Sequence, residues 1–486
     1  MSAAPVSGQT GVEDILGRLS SVAPGSTALI ADGFEHTFAQ LADAAEHVAS
    51  RLTPGTRVLA RLGNNAASIV AIHAAWRAGC SVVTASTMVP DTEVQRRAIE
   101  TSAACLLTPI GGGLGVDVVD TGVRDSAPAG EAVVMFTSGT TGTPKGASLT
   151  FSALRGSIAG IAAGNGLGDD GRTPRQPARG PRIVLVPIAH MGGFLGALTA
   201  WWLGKPALLV EKFSAEQVFE LAQKYRLGVL GLTPAMVWEM AQSDAAGQLP
   251  GVDSIIVGTA AIPEATRIAF ERKYQVPVLR NYGQTEFAGA VAFERPADVA
   301  AGKRPDGTVG RVAPGVEVAI LDADGAPVPT GGVGEISARA ASAMSGYLGS
   351  DGQPVDPGNW LRTGDLGRID EEGFLFVVGR VRDMVVCGGF NIYPAQVEAA
   401  LNDLPEIADS AVAGIPDERL GEIPVAAVVL ESGATGDGDA IRRALRAQLA
   451  AYELPRRVAF IDAIPRHDSG KVNRDDVARL VQSRLP

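Results

Sequence analysis

The chain has 486 residues, of which 46% are hydrophobic and 20% are charged. This balance is typical of a globular protein and excludes a disordered chain. The length predicts two or more domains, since one hydrophobic core rarely serves so many residues. The net charge of −11 argues against general affinity for nucleic acid, which requires a basic surface. A local phosphate site remains compatible with it.

The three cysteines, Cys80, Cys105 and Cys387, are scattered and odd in number. They form no CxxC pair or Cys/His cluster, which favours a reducing compartment over a disulfide framework or a metal site. Residues 1–19 lack the basic start and apolar core of a signal peptide. The most apolar run, residues 192–204, is too short to span a bilayer. We therefore expect a cytoplasmic protein without a membrane span.

Short apolar runs alternate with helical segments from residue 131 to about 280. Four of these runs are predicted strands: 182–187, 207–210, 228–232 and 254–258. Ser214 is the predicted N-cap of one intervening helix, with Gln217 completing a capping box. Thr233 caps the next helix, with Pro234 at its first position. This alternation predicts a parallel sheet covered by helices, and such sheets bind ligands at the carboxyl ends of their strands.

The pattern changes in the last third of the chain. After about residue 300, alternating apolar residues separated by turn sequences predict a small antiparallel subdomain. From Arg380 onward, short strands and helices, including an Arg/Ala-rich helix over residues 440–452, predict a compact α+β unit. Its length of about 100 residues is that of a separate domain.

The sequence therefore predicts an α/β protein with two domains. Residues 1–379 form a large N-terminal domain with helix-covered, mostly parallel sheets and a small β subdomain. Residues 380–486 form a small α+β C-terminal domain. The Gly/Pro/Arg-rich stretch 164–182 is predicted to be a surface loop, and an anion-binding lid is the less favoured interpretation.

A Gly/Ser/Thr-rich loop, TSGTTGTPKG at residues 137–146, follows the apolar residues 133–136. Its glycines allow the backbone to approach an anion, its hydroxyls donate hydrogen bonds, and Lys145 adds positive charge. A Walker loop is excluded, because Pro144 precedes the lysine and Gly146 follows it, where that motif requires Gly and Ser or Thr. The loop is still predicted to hold a polyanion, and a plain surface turn is the simpler alternative.

TSGTTGTPKG resembles the phosphate loop of the adenylate-forming superfamily, which contains acyl-CoA synthetases, luciferases and peptide-synthetase adenylation domains. Four later stretches resemble further motifs of that family, in the family's order: NYGQTE (281–286), WLRTGDLG (360–367), GRVRDMVVCGGFNIYPAQVE (379–398) and PRHDSGKVNR (465–474). The chain is therefore identified as a member, in the acyl-CoA synthetase branch. The resemblance implies a mobile C-terminal domain. It also implies that acid and ATP form acyl-AMP and pyrophosphate before CoA takes the acyl group.

The resemblance assigns the phosphates and the metal to two segments. The loop is implied to hold the β- and γ-phosphates through Thr137, Ser138, Gly139, Thr140, Thr141, Gly142 and Lys145. Glu286 is implied to position Mg²⁺, next to Thr285 and with Thr140 as a second candidate ligand. A carboxylate suits Mg²⁺ bridging phosphate oxygens, and a solvated acidic residue is the simpler interpretation.

The nucleoside is implied to contact a second set of residues. Tyr282 is implied to stack on adenine, with the base lined by Gly258, Thr259, Ala260, Asn281 and Gly283. The sequence reads GTAAIP in this stretch, where many relatives have Gly-Gly-Ala-Pro. Asp365 is implied to accept hydrogen bonds from the ribose hydroxyls, although an aspartate in TGD is also a turn former. Arg380 is implied to contact the nucleotide as well.

Lys471 is the principal catalytic candidate by resemblance. A cation placed there would stabilise the charge that builds up when the carboxylate attacks the α-phosphate. A solvated lysine in a Ser-Gly-Lys turn is the simpler interpretation. Arg382 matches the hinge about which the small domain turns, and Gly388 and Gly389 match the face that serves thiol attack.

The acyl site is the least specified part of the sequence. His190 resembles a histidine that borders the acyl and thiol tunnels, and a packed or gating ring without proton chemistry is an equal alternative. The pocket is expected to be lined by small and apolar residues: Gly193, Phe194, Met236, Phe287 and Gly289. Aliphatic, aryl and polycyclic acids are all compatible with such a lining.

The sequence thus predicts an ATP-dependent acid–CoA ligase that uses ATP, Mg²⁺ and CoA. A synthetase that loads a carrier protein, or an enzyme specialised to one half-reaction, is the alternative. A non-catalytic nucleotide or acyl-CoA binder is less favoured, because it should have lost Lys471 or Glu286. The residues around His190 include no aspartate to pair with an α-amino group, and Val386 stands where luciferases have lysine. A homodimer is left open.

Overall fold

The computed structural model describes residues 11–111, 113–137, 144–164, 180–243, 248–348, 355–356, 358–466 and 471–484. Within the phosphate loop, Ser138, Gly139, Thr140, Thr141 and Gly142 lie outside the described residues, so the predictions made for them stay predictions. Most of the arginine-rich stretch 164–182 also lies outside.

The first third of the chain is mixed α/β. Its elements are α1 (Ile15–Val22), β1 (Thr27–Ala31), β2 (Phe34–Thr37), α2 (Phe38–Ala49), β3 (Arg57–Leu62), α3 (Ala66–Arg77), β4 (Ser81–Ser86), α4 (Asp91–Glu100), β5 (Cys105–Pro109), β6 (Val116–Asp120), β7 (Glu131–Thr137), β8 (Lys145–Thr150) and α5 (Phe151–Gly164).

The middle third alternates strands and helices, as predicted. Its elements are β9 (Arg182–Val184), α6 (Met191–Trp202), β10 (Ala207–Leu209), α7 (Ala215–Lys224), β11 (Gly228–Leu232), α8 (Pro234–Gln242), β12 (Val252–Val257), α9 (Glu264–Tyr274), β13 (Val278–Gln284), β14 (Gly289–Phe293), α10 (Pro296–Ala300) and β15 (Arg311–Val312). Both predicted N-caps are confirmed, but the hydrogen bonds of the described residues include no reciprocal bond from the Gln217 side chain that would complete the capping box at Ser214. The Ser214 side chain accepts a hydrogen bond from the Gln217 amide, and Thr233 accepts one from Met236.

The last third contains more antiparallel pairing. Its elements are β16 (Val316–Leu321), β17 (Gly334–Ala340), β18 (Gly346–Tyr347), β19 (Leu361–Ile369), β20 (Leu375–Arg380), β21 (Val385–Cys387), β22 (Phe390–Ile392), α11 (Pro394–Asn402), β23 (Ile407–Asp417), β24 (Gly421–Leu430), α12 (Gly438–Leu445), β25 (Arg457–Phe460) and α13 (Arg474–Ser483). Helix α12 is shorter than predicted. After Leu445 the backbone tightens to i→i+3 bonds, and Leu449 and Leu454 then join the core.

Three sheets that each contain parallel strands form the large N-terminal part, which confirms the predicted α/β class, although antiparallel pairings are as frequent as parallel ones in two of them. Strands β7, β4, β3 and β5 are parallel neighbours in a seven-stranded sheet of order β18-β8-β7-β4-β3-β5-β6. A second sheet has the order β2-β1-β10-β9, and a third has the order β11-β12-β13-β14-β15. Helices α3 and α6 bury Trp76 and Trp201 in the largest core cluster. Strands β16, β17, β19 and β20 form the predicted antiparallel subdomain.

The C-terminal part has its own sheet and core. Strands β22, β21, β24 and β23 are antiparallel neighbours, and β25 adds to β24 in parallel. Helices α11 and α13 contribute Val397 and Val477 to two hydrophobic clusters. Strand β20 ends at Arg380, next to the predicted domain boundary, and a single 3-10 turn, Val381–Asp383, leads into β21. In the described part of the chain, no helix has the length and apolarity needed to cross a membrane.

Candidate active site

Asp365, on β19, accepts from three donors, two on β13 and one at the end of β20. Its Oδ2 accepts hydrogen bonds from the Tyr282 hydroxyl at 2.8 Å and from Gln284 Nε2 at 2.7 Å. Its Oδ1 pairs with Arg380 Nε at 3.0 Å. The residue is only 5% exposed, so these partners stabilise a buried charge. Three predicted residues therefore meet here, while sequence reasoning missed Gln284 although it lies inside the NYGQTE motif.

The predicted adenine segment lies at the carboxyl ends of β12 and β13. Burial and the negative Asp365 raise the pKa of the Tyr282 phenol well above its usual range, so the phenol remains a donor. Among the described residues, the buried Asn281 Oδ1 has no hydrogen-bond partner. Thr259 has a φ of +73°, a left-handed conformation that is strained for a β-branched residue. Thr259 adopts this conformation in the GTAAIP stretch, where many relatives have Gly-Gly-Ala-Pro.

The two ends of the phosphate loop are held side by side. Thr137, at the end of β7, pairs with Lys145, at the start of β8. Lys145 Nζ lies 5.7 Å from the centroid of the Tyr347 ring, within range of a cation–π interaction. The Tyr347 hydroxyl in turn donates to Glu286 Oε1 at 2.7 Å. Sequence reasoning missed Tyr347, since no spacing signal links it to the loop.

Lys471 reaches this site from the other end of the chain. It is half-buried, and the charges of Arg380, Asp365, Glu286 and Arg382 all act on it. Burial is the main cause that lowers its pKa, and Arg380 adds to the effect. The lysine is therefore brought together with the two carboxylates predicted to bind the nucleotide and the metal, although it is separated from them by more than a hundred residues.

Arg474 ties the Lys471 segment to the residues that follow the predicted hinge. Its Nε pairs with Asp383 Oδ2 at 3.1 Å, and its Nη2 donates to Glu398 Oε2 at 3.1 Å. Asp383 follows the predicted hinge residue Arg382 directly. The end of the chain that carries Lys471 is thus held by ion pairs to residues that follow Arg382.

Gly388 and Gly389 lie elsewhere, at the exposed turn between β21 and β22. Their φ values of +58° and +86° fall in the left-handed region that glycine tolerates. A Cβ on Gly389 would meet no atom within 4 Å. The next residue, Phe390, is 54% exposed. The structure therefore leaves this turn open to solvent instead of packing it into the site around Lys471.

His190 precedes α6 and has a solvent-accessible ring. Even so, the surrounding protein disfavours the protonated imidazole, and Arg97 adds positive charge, so the pKa of His190 is lowered and the ring is neutral at pH 7. The Arg97 guanidinium lies 4.6 Å over the ring of Phe136, which precedes Thr137. His190 thus shares a neighbour with the first end of the phosphate loop.

The expected acyl-pocket residues differ in burial. A Cβ on Gly193 would lie 2.3 Å from the Val186 carbonyl oxygen, so this glycine permits close packing. Phe194 is 2% exposed and borders a cavity of about 10 Å³ that is also lined by His73 and Trp201. Phe287 is fully buried, and Met236 and Gly289 are half-buried. Their assignment to an acyl pocket stays a prediction.

The donor set around Glu286 fits Mg²⁺ better than a metal held by protein alone. Within the described ranges, no group of three or more His, Cys, Asp or Glu side chains could hold a metal ion. Mg²⁺ is commonly bound by one or two carboxylates together with substrate phosphates. Glu286 and the nearby hydroxyl of Thr137, which acts on the same Tyr347 phenol, provide such oxygens.

Several known proteins are similar to this chain over most of its length. An indoleacetate–CoA ligase of Aromatoleum aromaticum is 36% identical over 73% of this chain and 68% of its own length. A 2-succinylbenzoate–CoA ligase of Geobacillus kaustophilus is 29% identical over 92% of this chain and 93% of its own. The amide bond synthetase McbA of Marinactinospora thermotolerans superposes with a TM-score of 0.82 at 27% identity, over 97% of this chain and all (100%) of its own.

Two family matches cover both predicted parts of the chain. Residues 20–348 match the AMP-binding enzyme family, and residues 396–471 match the C-terminal domain of AMP-binding enzymes. These matches confirm the resemblance that the five sequence motifs indicate. The chain belongs to the family of AMP-binding enzymes.

Proposed function

We propose that the protein is an ATP-dependent carboxylic acid–CoA ligase. In the first step, acid and ATP form acyl-AMP and pyrophosphate; in the second, acyl-AMP and CoA form acyl-CoA and AMP. The observation that carries the proposal is the position of Lys471, which interacts electrostatically with Glu286, Asp365 and Arg380. The CoA ligases among its relatives support the same reaction.

In the first step the chain's own groups hold the nucleotide and stabilise charge. Asp365 uses three donors in the structure, and a carboxylate has about four lone-pair sites, so it can still accept from a ribose hydroxyl. Asn281 Oδ1, buried without a partner among the described residues, is a suitable acceptor for the adenine amino group. Lys471 and Arg380 then offer positive charge where the carboxylate attacks the α-phosphate.

Glu286 and Thr137 are the residues that would hold Mg²⁺, with Thr140 as a further candidate. When bound, Mg²⁺ neutralises charge on the phosphates and favours departure of pyrophosphate. The Tyr347 hydroxyl orients Glu286 for this role by donating to one of its oxygens. Thr285 begins the 3-10 turn Thr285–Phe287 that carries Glu286.

In the second step, Gly388 and Gly389 would replace Lys471 at the adenylate. A turn of the C-terminal domain about Arg382 would bring them there. Two glycines in left-handed conformation leave the end of the hairpin without side chains, which suits the passage of a thiol to the acyl carbon. His190, neutral near pH 7, is placed in this proposal as a ring that borders the path.

Aryl acids are the favoured substrate class among the three left open. Both CoA ligases named above take their names from ring-bearing acids. A cytoplasmic location belongs to the proposal, and the described cysteines are free and buried, which suits a reducing compartment. A homodimer and a carrier-protein partner stay predictions.

Release of pyrophosphate with a panel of aryl, aliphatic and polycyclic acids, with and without CoA, tests the proposal. We expect release with aryl acids, and faster turnover with CoA, since the thiol removes the bound adenylate. Release that CoA does not change would favour a carrier-protein acceptor. Amide formation from an added amine would favour the chemistry for which McbA is named. An enzyme that releases no pyrophosphate with any acid would contradict the proposal.

A further inference from the structure

One short segment, Met344–Leu348, is hydrogen-bonded to both sides of the predicted triphosphate site. The Leu348 amide donates to the Gly146 carbonyl at 2.8 Å, and Tyr347 pairs with Ala147 across β18 and β8. The Met344 amide donates to the carbonyl of Glu286 at 2.7 Å. This segment therefore joins β8, the strand that follows the phosphate loop, to the backbone of Glu286.

The Tyr347 side chain repeats this connection. Its hydroxyl donates to Glu286 Oε1 at 2.7 Å, and Lys145 Nζ lies 5.7 Å from its ring centroid. The Thr137 side chain also acts on the same phenol, where it opposes the rise of the Tyr347 pKa. One half-buried ring thus contacts both ends of the phosphate loop and the predicted metal-binding carboxylate.

We propose that Tyr347 is a positioning residue that couples the phosphate loop to the metal-binding carboxylate, so that Lys145, Thr137 and Glu286 meet the Mg²⁺–triphosphate as one preset unit. The inference rests on the proposed function, because it concerns the same nucleotide site. Tyr347 itself touches neither metal nor phosphate in this scheme.

A purely structural role explains less of the geometry. A half-buried phenol needs one acceptor, and a backbone carbonyl would serve. Here the acceptor is a carboxylate, and a charge-assisted hydrogen bond fixes its rotamer more strongly than a neutral one. The bond occupies one of about four lone-pair sites, which leaves Oε2 of Glu286 for a cation. The ring face toward Lys145 would also direct that ammonium group.

The experiment compares Tyr347→Phe with Tyr274→Phe. Both variants keep the ring and lose one phenol hydrogen bond; Tyr274 donates to the Met240 carbonyl at 2.6 Å, in a buried position on α9. Binding of Mn²⁺ together with ATP is measured by electron paramagnetic resonance, without acid or CoA. The Mg²⁺ concentration that gives half-maximal pyrophosphate release is measured in parallel.

We expect Tyr347→Phe to weaken Mn²⁺ binding and to raise the half-saturating Mg²⁺ concentration by about tenfold. This corresponds to ~1.4 kcal/mol, close to the lower end of what one hydrogen bond to a charged group contributes. The rate at saturating Mg²⁺ and thioester formation from supplied acyl-AMP should change less than about threefold, since the chemistry keeps its groups. Tyr274→Phe should lower only the melting temperature.

Equal Mn²⁺ affinity in the two variants would overturn the inference, because Tyr347 would then only fill space. The same holds for a Tyr347→Phe variant that loses rate without any change in Mg²⁺ dependence. If the wild type binds Mn²⁺ and ATP but releases no pyrophosphate with any acid, the proposed function fails. The Mn²⁺ measurement still decides the role of Tyr347 in that case.

Discussion

The two ends of the C-terminal domain differ in their surroundings. Lys471 is half-buried, and the charges of Asp365 and Glu286 from the large domain act on it. Gly388 and Gly389, in contrast, are exposed at a hairpin turn, next to an exposed Phe390. The domain therefore presents its cationic end to the predicted nucleotide site and its glycine end to solvent. Under the proposed function, this arrangement would serve the first half-reaction, and the second would require a different orientation of the domain.

Replacing Lys471 should produce the largest effect. We expect Lys471→Ala to slow acyl-AMP formation by roughly 100- to 1,000-fold, as for other preorganised groups that stabilise developing negative charge. Thioester formation from supplied acyl-AMP should stay within about threefold of the wild type, since another face serves it. Pyrophosphate release and thioester formation are measured separately, with Lys303→Ala, an exposed lysine, as the control. Equal loss of both steps would end the comparison between the two faces.

A side chain on the hairpin should have the opposite effect. Gly389→Val places a β-branched residue at a φ of +86°, at a cost of about 1–2 kcal/mol in this region, and blocks the approach of a thiol. We expect thioester formation from acyl-AMP to fall by tenfold or more, while pyrophosphate release in a single turnover is unchanged.

Gly433→Val is the matched control for the hairpin variant. Gly433 has a φ of +84°, and a Cβ there would also meet no atom within 4 Å. It lies after β24, away from the hairpin, so it carries the same backbone strain without blocking a thiol. A slower thioester step in the control would show that strain, and not the lost space, is responsible.

The pH dependence of the first step should be moderate and specific. The pKa of Lys471 is lowered, so the cation is lost as pH rises, and this happens below the ordinary lysine value of about 10.4. Adenylation should therefore fall on the alkaline side. Lys471→Arg should move that fall upward, because a guanidinium keeps its charge. Pyrophosphate release between pH 7 and 10 checks this, and an unmoved alkaline limb in Lys471→Arg would assign it to another group.

The smallest effect on catalysis is expected in the core of the large domain. His73 is buried against Trp76 and Trp201, and burial lowers its pKa to about 3. The unfolded chain binds a proton below about pH 6.5 while the folded one does not, so the free energy of unfolding falls by at most ~1.4 kcal/mol per pH unit as pH drops toward 3.

His73→Phe should reduce this acid sensitivity and leave both half-reactions unchanged. Melting temperatures at pH 5 and pH 7.5 measure it, with His47→Gln, at an exposed position on α2, as the control. If His73→Phe changes one half-reaction and not the other, the core and the two faces are coupled, and the comparison between faces must include the cavity beside Phe194.

The sequence was sufficient for those features that depend on local patterns. Strand–helix alternation predicted the parallel sheets, and the Ser214 and Thr233 caps follow from residue type and spacing. The motif residues Tyr282, Asp365 and Arg380 could be named, and the structure brings them together.

Other features depend on long-range pairing that a local pattern does not contain. Tyr347 reaches Lys145 and Glu286 only because the two-residue strand β18 pairs with β8, about two hundred residues earlier. Burial of Phe194 and Phe287 is decided by the elements packed against them, which residue type alone does not reveal. The strained φ of Thr259 has no local signal either, since threonine disfavours that conformation.

The ion pair between Arg474 and Asp383 has a consequence for the order of events. The pair joins the segment that carries Lys471 to Asp383, directly after the predicted hinge residue Arg382. Any turn of the domain would therefore move Lys471 and the glycine hairpin together as one rigid body. The cation would leave the adenylate in the same movement that admits the thiol. The thiol would then be kept from acyl-AMP while it forms. Lys471, which could also assist the reverse reaction to ATP, would move away before the thiol attacks. A rigid link of this kind would keep the two half-reactions apart in time.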